Sequence, residues 1–241
     1  MKKIITFMFI FICLSSGAKA QQTIINVPSS EVLPAGDIIL KDSNRMRPFA
    51  PGQYASITPS VTLGTGFGTE ITAGVGTSID DNHNTNAEFD LSAKKVWFLG
   101  SATRFTVGGT LSPSFTQSVH PDSFLFSHFS HRIKKTKTSL TAGTYFGGIK
   151  GLPDNFGVLL GIEQVIIPNK LRIAVDWLSS RDSYGRMGVG IKYRPVPTVS
   201  ITSAVIIPND DSDNIAFNIS ISKFISLDNE NPIKRRLTNV D

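Results

Sequence analysis

From Arg104 to Thr116 the chain alternates between two kinds of side chain. Arg104, Thr106, Gly108, Thr110, Ser112, Ser114 and Thr116 are polar or tiny, and the residues between them, Phe105, Val107, Gly109, Leu111, Pro113 and Phe115, are mostly apolar. Successive side chains of an extended strand point to opposite faces, so this stretch predicts a strand with one polar and one apolar face. The same stripe recurs in Phe156/Val158/Leu160/Ile162, Leu171/Ile173/Val175/Trp177, Met187/Val189/Ile191/Tyr193 and Ile215/Phe217/Ile219/Ile221. Apolar residues at three- and four-residue spacing, which a helix would need, are not there.

Reading strands between turn signals predicts about twelve: residues 37–45, 54–65, 69–79, 85–98, 103–116, 123–133, 136–147, 156–167, 170–180, 183–194, 197–208 and 214–226. Their connections alternate. Gly66-Phe67-Gly68, Gly100-Ser101-Ala102, Lys134-Lys135, Pro168-Asn169 and Pro195-Val196 are short turns. Between them lie the longer, more polar stretches 46–53, 80–84, 117–122, 148–155 and 209–213, with Arg181-Asp182 a short exception. Tight turns on one side and longer loops on the other are the pattern of an up-and-down barrel with both termini in the periplasm.

The first residues point to export. Lys2 and Lys3 precede an apolar run from Ile4 to Leu14, and Ala18-Lys19-Ala20 has the small-x-small form of a signal-peptidase site. The run is about eleven residues, too short for a helical span, which needs roughly 20. Cys13, the only cysteine, follows Ile12 where a lipidated cysteine wants a small residue, so no lipid anchor and no disulfide are expected. Cleavage would remove Lys2, Lys3 and Lys19, taking 24 basic residues to 21 against 19 acidic and the net charge from +5 to +2. That is no footprint for nucleic acid. The organisation expected is a signal peptide over 1–20, a periplasmic N-terminal segment over 21–36, a barrel over 37–227 and a polar tail over 228–241.

A secreted sandwich would also alternate, but three features favour a membrane barrel. The strands are long, where soluble ones average about five or six residues and a tilted membrane strand needs roughly 9–11. The polar face is dominated by Gly, Ser and Thr rather than Lys and Glu. Aromatics gather at two levels: Tyr54, Phe89, Phe115, Phe146, Phe156, Trp177 and Tyr184 towards the outer rim, and Phe67, Trp97, Phe105, Tyr193 and Phe224 towards the inner one. Rings of this kind favour the two interfaces of a bilayer. Lys95 and Lys223 fall on the apolar face near the periplasmic edge, where a long stem can carry its ammonium to the headgroups. Closure also removes the sheet edges that would aggregate.

With Gly188-Val189-Gly190-Ile191-Lys192-Tyr193-Arg194-Pro195 running into a turn, and Ala216 to Phe224 alternating and ending in an aromatic, the chain resembles bacterial outer-membrane β-barrels of porin-like or transporter-like type, over residues 30–226. The resemblance implies an all-β, antiparallel up-and-down transmembrane β-barrel in the Gram-negative outer membrane. It implies export by the general secretory pathway, contact with outer-membrane lipid, insertion by the barrel-assembly machinery and a monomeric state. In that class the last-strand signal usually ends the chain, whereas here the tail with Lys234-Arg235-Arg236 follows.

If the apolar stripes face lipid, the lumen receives Glu70, Glu88, Asp90, Lys94, Arg104, Lys137, Glu163, Arg172, Asp176, Arg186 and Lys192. Glu163, Arg172, Asp176 and Arg186 lie on three consecutive strands and are expected to form one network, serving either packing or solute contact. Pairing across Lys134-Lys135 sets His128 opposite Thr141, Phe124 opposite Tyr145 and Phe126 opposite Gly143, an aromatic patch inside the outer opening suited to a sugar ring or an apolar solute. A slip by one residue would turn Phe124 and Phe126 to lipid as girdle residues. The candidate solute-contact set is Glu88, Asp90, Lys94, Arg104, Phe126, His128, Glu163, Arg172, Asp176 and Arg186.

Catalysis finds little support. His128-Phe129-Ser130 is similar to the His-x-Ser of lipid A deacylase barrels, which are smaller and turn the pair towards lipid. Here His131 stands where that family has Asn, and no acid partner can be placed. His120-Pro121-Asp122 could form half of a protease site but fits an outer loop. No phosphate loop, nucleophile elbow or Cys/His metal spacing occurs, so no catalytic residue, metal or cofactor is expected. The function expected is a channel or narrow-specificity uptake conduit for a small-molecule solute. The alternatives are a plugged structural or interaction barrel acting through its outer loops or tail and, more remotely, a lipid-modifying enzyme.

Overall fold

A computed structural model describes residues 23–49, 52–115, 122–147, 156–180, 185–210 and 214–227. The expected signal peptide, the tail from residue 228, His120, Pro121, Tyr184 and Lys234 to Arg236 lie outside them.

Twelve strands follow in chain order: β1 (Asp37–Arg47), β2 (Tyr54–Gly66), β3 (Thr69–Asp80), β4 (Thr85–Phe98), β5 (Thr103–Ser112), β6 (Asp122–Ile133), β7 (Thr138–Gly147), β8 (Phe156–Ile167), β9 (Leu171–Leu178), β10 (Arg186–Val196), β11 (Val199–Pro208) and β12 (Ala216–Ser226). Each pairs antiparallel with its chain neighbour, and β1 pairs with β12 from Asp37↔Ser226 to Met46↔Phe217, closing the barrel. Closure leaves no unpaired edge, the condition for backbone to cross hydrocarbon as strands.

The alternation is that of a membrane barrel turned apolar side out. On β8, Phe156, Val158, Leu160 and Ile162 are exposed while Gly157, Leu159, Gly161 and Glu163 are buried. Isoleucine, valine and leucine side chains stand exposed all round the outer wall, a surface that only lipid can cover. Near the short turns, Trp97, Phe105 and Phe129 lie opposite one another on β4, β5 and β6, with centroids 5.6 and 4.7 Å apart. Lys95 hydrogen-bonds the Phe67 carbonyl of the β2–β3 turn and lies 5.9 Å from the Trp97 ring. Its charge thus reaches the interface instead of the membrane middle.

Four expectations need correction. The connection between β9 and β10 lies between Leu178 and Arg186 rather than being confined to Arg181-Asp182, which are outside the described residues. The β6–β7 turn takes up residues 134–137, with Lys137 at φ +58°, instead of Lys134-Lys135 alone. The register therefore moves by two: His128 faces Gly143, Phe126 faces Tyr145 and Phe124 faces Gly147. A shift of two leaves every side chain on its expected face. Phe224 is not a girdle residue; it is 5 % exposed and packs inward with Leu33 and Ile39. Finally, the segment expected in the periplasm is inside the barrel. Val27 and Leu33 are 0 % and 1 % exposed, because the lumen wall offers both apolar cover and partners for the segment's main chain.

Candidate functional site: the lumen and its N-terminal plug

Residues 23–36 form a loop inserted into the bore. Its turn is closed by the Ile24 N–H donating to the Val27 carbonyl at 2.8 Å, with Thr23 bridged to Pro28. Ile24, Ile25 and Val27 pack against Phe126, Tyr145, Leu159, Leu178, Ile206 and Ala216. The inward aromatic patch therefore exists, and the girdle alternative for Phe126 falls: Phe126 is 7 % exposed and Tyr145 2 %. Phe124 and Tyr145 stack with centroids 5.3 Å apart. The Phe126 ring lies over Gly108 rather than Gly143, since a Cβ on Gly108 would come 2.5 Å from its Cζ.

Asp176 holds the turn. Its carboxylate accepts the N–H groups of Ile25 (2.8 Å), Asn26 (2.6 Å) and Val27 (2.8 Å), and the Asn26 side-chain amide at 3.0 Å. Three convergent main-chain donors form a nest for an anion, which offsets the cost of burying one. Lower down, Ser30 shares hydrogen bonds with Thr106 (2.7 Å) and Ser130 (2.8 Å), and Arg104 donates to the Ser30 carbonyl at 3.0 Å. Lys94 donates to the carbonyls of Ser29 (2.9 Å) and Glu31 (2.7 Å) while pairing with Glu70 at 3.0 Å. Glu70 in turn accepts the Leu33 N–H at 3.1 Å.

Glu31 reaches the far wall. Arg172 Nη1 lies 3.0 Å from its carboxylate and 2.7 Å from that of Glu163. Burial pushes the Glu31 carboxyl up, but the charges of Arg172, Lys192 and Arg194 outweigh it and hold the group well below the usual carboxylate range.

Of the ten candidate residues, Lys94, Arg104, Arg172 and Asp176 bind the plug by charge or hydrogen bond. Phe126 packs on it, His128 lies beneath Ser30, and Glu163 acts through Arg172. The remaining three stand apart: Asp90 accepts from Ser112, Glu88 lies against Gly76, and Arg186 sits opposite Leu178 and Pro208 towards the outer end. Of the network expected of Glu163, Arg172, Asp176 and Arg186, the described contacts join two members. Glu163 and Arg172 pair, while Asp176 is taken up by plug amides. Sequence reasoning missed Lys41 and Arg194, and it missed residues 24–33 altogether. The signal available for those was the apolar run Ile24, Ile25, Val27 and Leu33 in a segment assigned to water.

His128 and Ser130 make no catalytic pair with an acid. Ser130 Oγ is 3.4 Å from His128 Nδ1, but His128 is 1 % exposed under the plug and its Nε2 has no hydrogen-bond partner among the described residues. A general base needs an orienting acid and access to substrate, and in the plugged barrel His128 has neither among the described residues. Among the described residues no three His, Cys, Asp or Glu side chains are grouped to hold a metal.

No protein-family model and no curated protein matches the sequence. Solved structures do. The KdgM porin superposes with a TM-score of 0.56 at 9 % identity, covering 77 % of this chain and 98 % of that one. A KdgM porin in complex with disordered oligogalacturonate gives 0.52 at 9 % identity, with 78 % and 98 % covered. The outer-membrane protein Omp33 of Acinetobacter baumannii gives 0.46 at 7 % identity, with 78 % and 98 % covered. With its sheet closed on itself, its outer wall clad in apolar side chains and its likeness in fold to the KdgM porin, the chain is an outer-membrane β-barrel of porin-like architecture.

Proposed function

We propose that the protein is a conduit for small solutes whose bore is closed by its own N-terminal segment and opens when that segment withdraws. The observation that carries this reading is that the wall does not fill the lumen. Its buried inward positions include Thr62, Thr106, Thr141 and Ser220, and glycines such as Gly157, Gly161 and Gly188. Such residues cannot pack a bore of twelve strands, and larger barrels with uncrowded interiors hold aqueous channels. The space is taken up by a segment held through hydrogen bonds and ion pairs, contacts that water can replace, and through the apolar packing of Ile24, Ile25 and Val27. The likeness to a barrel named a porin, and solved with an oligogalacturonate, supports a solute-carrying role.

The density of plug contacts favours a second reading, a barrel closed for good that acts through its loops. Conductance in planar bilayers separates the two. The full chain should conduct rarely, and a variant lacking residues 24–33 should conduct in stable steps. Heat-modifiable mobility on gels checks that the variant is folded. A folded, plugless barrel that carries no current would leave only the second reading.

A further inference from the structure

Four charged wall groups hold the plug by its main chain. Asp176 takes the N–H groups of Ile25, Asn26 and Val27, and Glu70 takes that of Leu33. Lys94 donates to the carbonyls of Ser29 and Glu31, and Arg104 to that of Ser30. Side chains of the plug add to this: Asn26 bonds Asp176, Ser30 bonds wall hydroxyls and Glu31 bonds Arg172. Groups that bind amides and carbonyls would nevertheless find the same partners on any peptide. Ile24, Ile25 and Val27 are received by apolar contacts with residues such as Phe126, Tyr145 and Leu159, which demand no particular sequence.

Any inserted segment must find partners for its amides and carbonyls. Hydroxyls could supply them, as Thr106 and Ser130 do for the Ser30 side chain. Ionised partners bind more strongly, and they keep a use when the plug is out. Asp176 stands towards the outer end of β9, whereas Lys94 and Arg104 stand towards the inner ends of β4 and β5. The open lumen would therefore show a carboxylate at one level and cations at another. Along the plug, the residues bound at these two levels are 25–27 and 29–31. Their centres are about four residues apart, at most about 14 Å of extended chain. A free peptide of that length carries an ammonium at one end and a carboxylate at the other. Its ammonium suits Asp176, and its carboxylate suits Arg104 and Lys94, of which Lys94 also pairs with Glu70.

From this arrangement we infer that the lumen is a binding site for short peptides, recognised through their main chain and termini, and that residues 25–31 occupy it in the closed barrel. The inference rests on the conduit reading for its role in transport, but binding can be measured without current. Tetra-alanine with free termini and its backbone N-methylated analogue are titrated calorimetrically into detergent-solubilised full chain and into the variant lacking residues 24–33. The plugless barrel should bind tetra-alanine about tenfold or more tightly than the full chain does, and about tenfold or more tightly than it binds the analogue. Both peptides meet the same protein, so that preference does not depend on how well a variant folds. Adding Asp176→Ala or Arg104→Met to the plugless barrel should weaken tetra-alanine binding by about tenfold or more. In the full chain, excess tetra-alanine should speed maleimide labelling of an Ile25→Cys variant, and the analogue should not. A folded plugless barrel that binds the two peptides alike, or that ignores either substitution, overturns the site, as does labelling that tetra-alanine leaves unchanged. Current without tetra-alanine binding would sink this inference alone, whereas tetra-alanine binding without current would sink the conduit and leave the site standing.

Discussion

Asp176 is 1 % exposed, and its oxygens take up three consecutive main-chain N–H groups of the plug. Hydrogen bonds to a charged group are worth about 1.5–3 kcal/mol each, and a buried donor left without a partner costs a similar amount. Asp176→Ala should therefore release the turn at Ile25 to Val27 while leaving the wall intact. The measurement is labelling of an Ile25→Cys variant by a water-soluble maleimide in folded protein: slow with Asp176 present, fast with Asp176→Ala, intermediate with Asp176→Asn. Unchanged labelling would mean that the apolar contacts of Ile24, Ile25 and Val27 hold the turn by themselves. Sequence alone placed Asp176 in the lumen, but it could not pair the residue with amides about 150 positions away in the chain.

At the level of the strand, one position decides between lipid and plug. Leu160 and Val175 are exposed on the outer wall of β8 and β9. An arginine there would cost about 2–4 kcal/mol near the bilayer midplane, so Leu160→Arg and Val175→Arg should impair assembly, read as loss of heat-modifiable mobility. Gly161 points the other way, and a Cβ added to it would come 2.6 Å from Ile24 Cδ1. Gly161→Arg is therefore expected to fold and to conduct, because the new side chain displaces the turn of the plug. The glycine serves the fit between wall and plug: a Cβ on Gly188 would likewise come 2.6 Å from the Asn26 side-chain nitrogen Nδ2. Equal loss of folding in Leu160→Arg and Gly161→Arg would contradict this division of faces.

In the whole barrel, the turns 67–68, 99–102, 134–137, 168–170 and 197–198, none longer than four residues, lie at one rim, and the connections at the other are longer except 81–84. The plug leads into β1 at the rim of the short turns, as Gly36 bonds the Gly64 carbonyl at 2.9 Å close to the β2–β3 turn. Barrels of this kind keep their short turns in the periplasm. An epitope tag inserted at Asn82 should be reached by antibody on intact cells, and one inserted after Pro168 only once the outer membrane is permeabilised. Surface detection of the Pro168 tag would invert the molecule and bring the plug in from outside.

Strand existence, strand faces and the order of connections were legible in the sequence, because a period of two is a local property that lipid and lumen impose on each residue separately. Even the two-residue register error at Lys134 to Lys137 left His128 and Phe126 facing inward. What fills the bore was not legible. Residues 24–33 carry no alternation, and Ile24, Ile25 and Val27 find cover only against strands far along the chain. Their amides find Asp176, and Glu31 finds Arg172, only after the barrel has closed and brought those side chains round one lumen. Local periodicity determined a barrel; tertiary closure decided that it is a stoppered one, since partners for buried amides and charges are set by three-dimensional proximity and not by spacing along the chain.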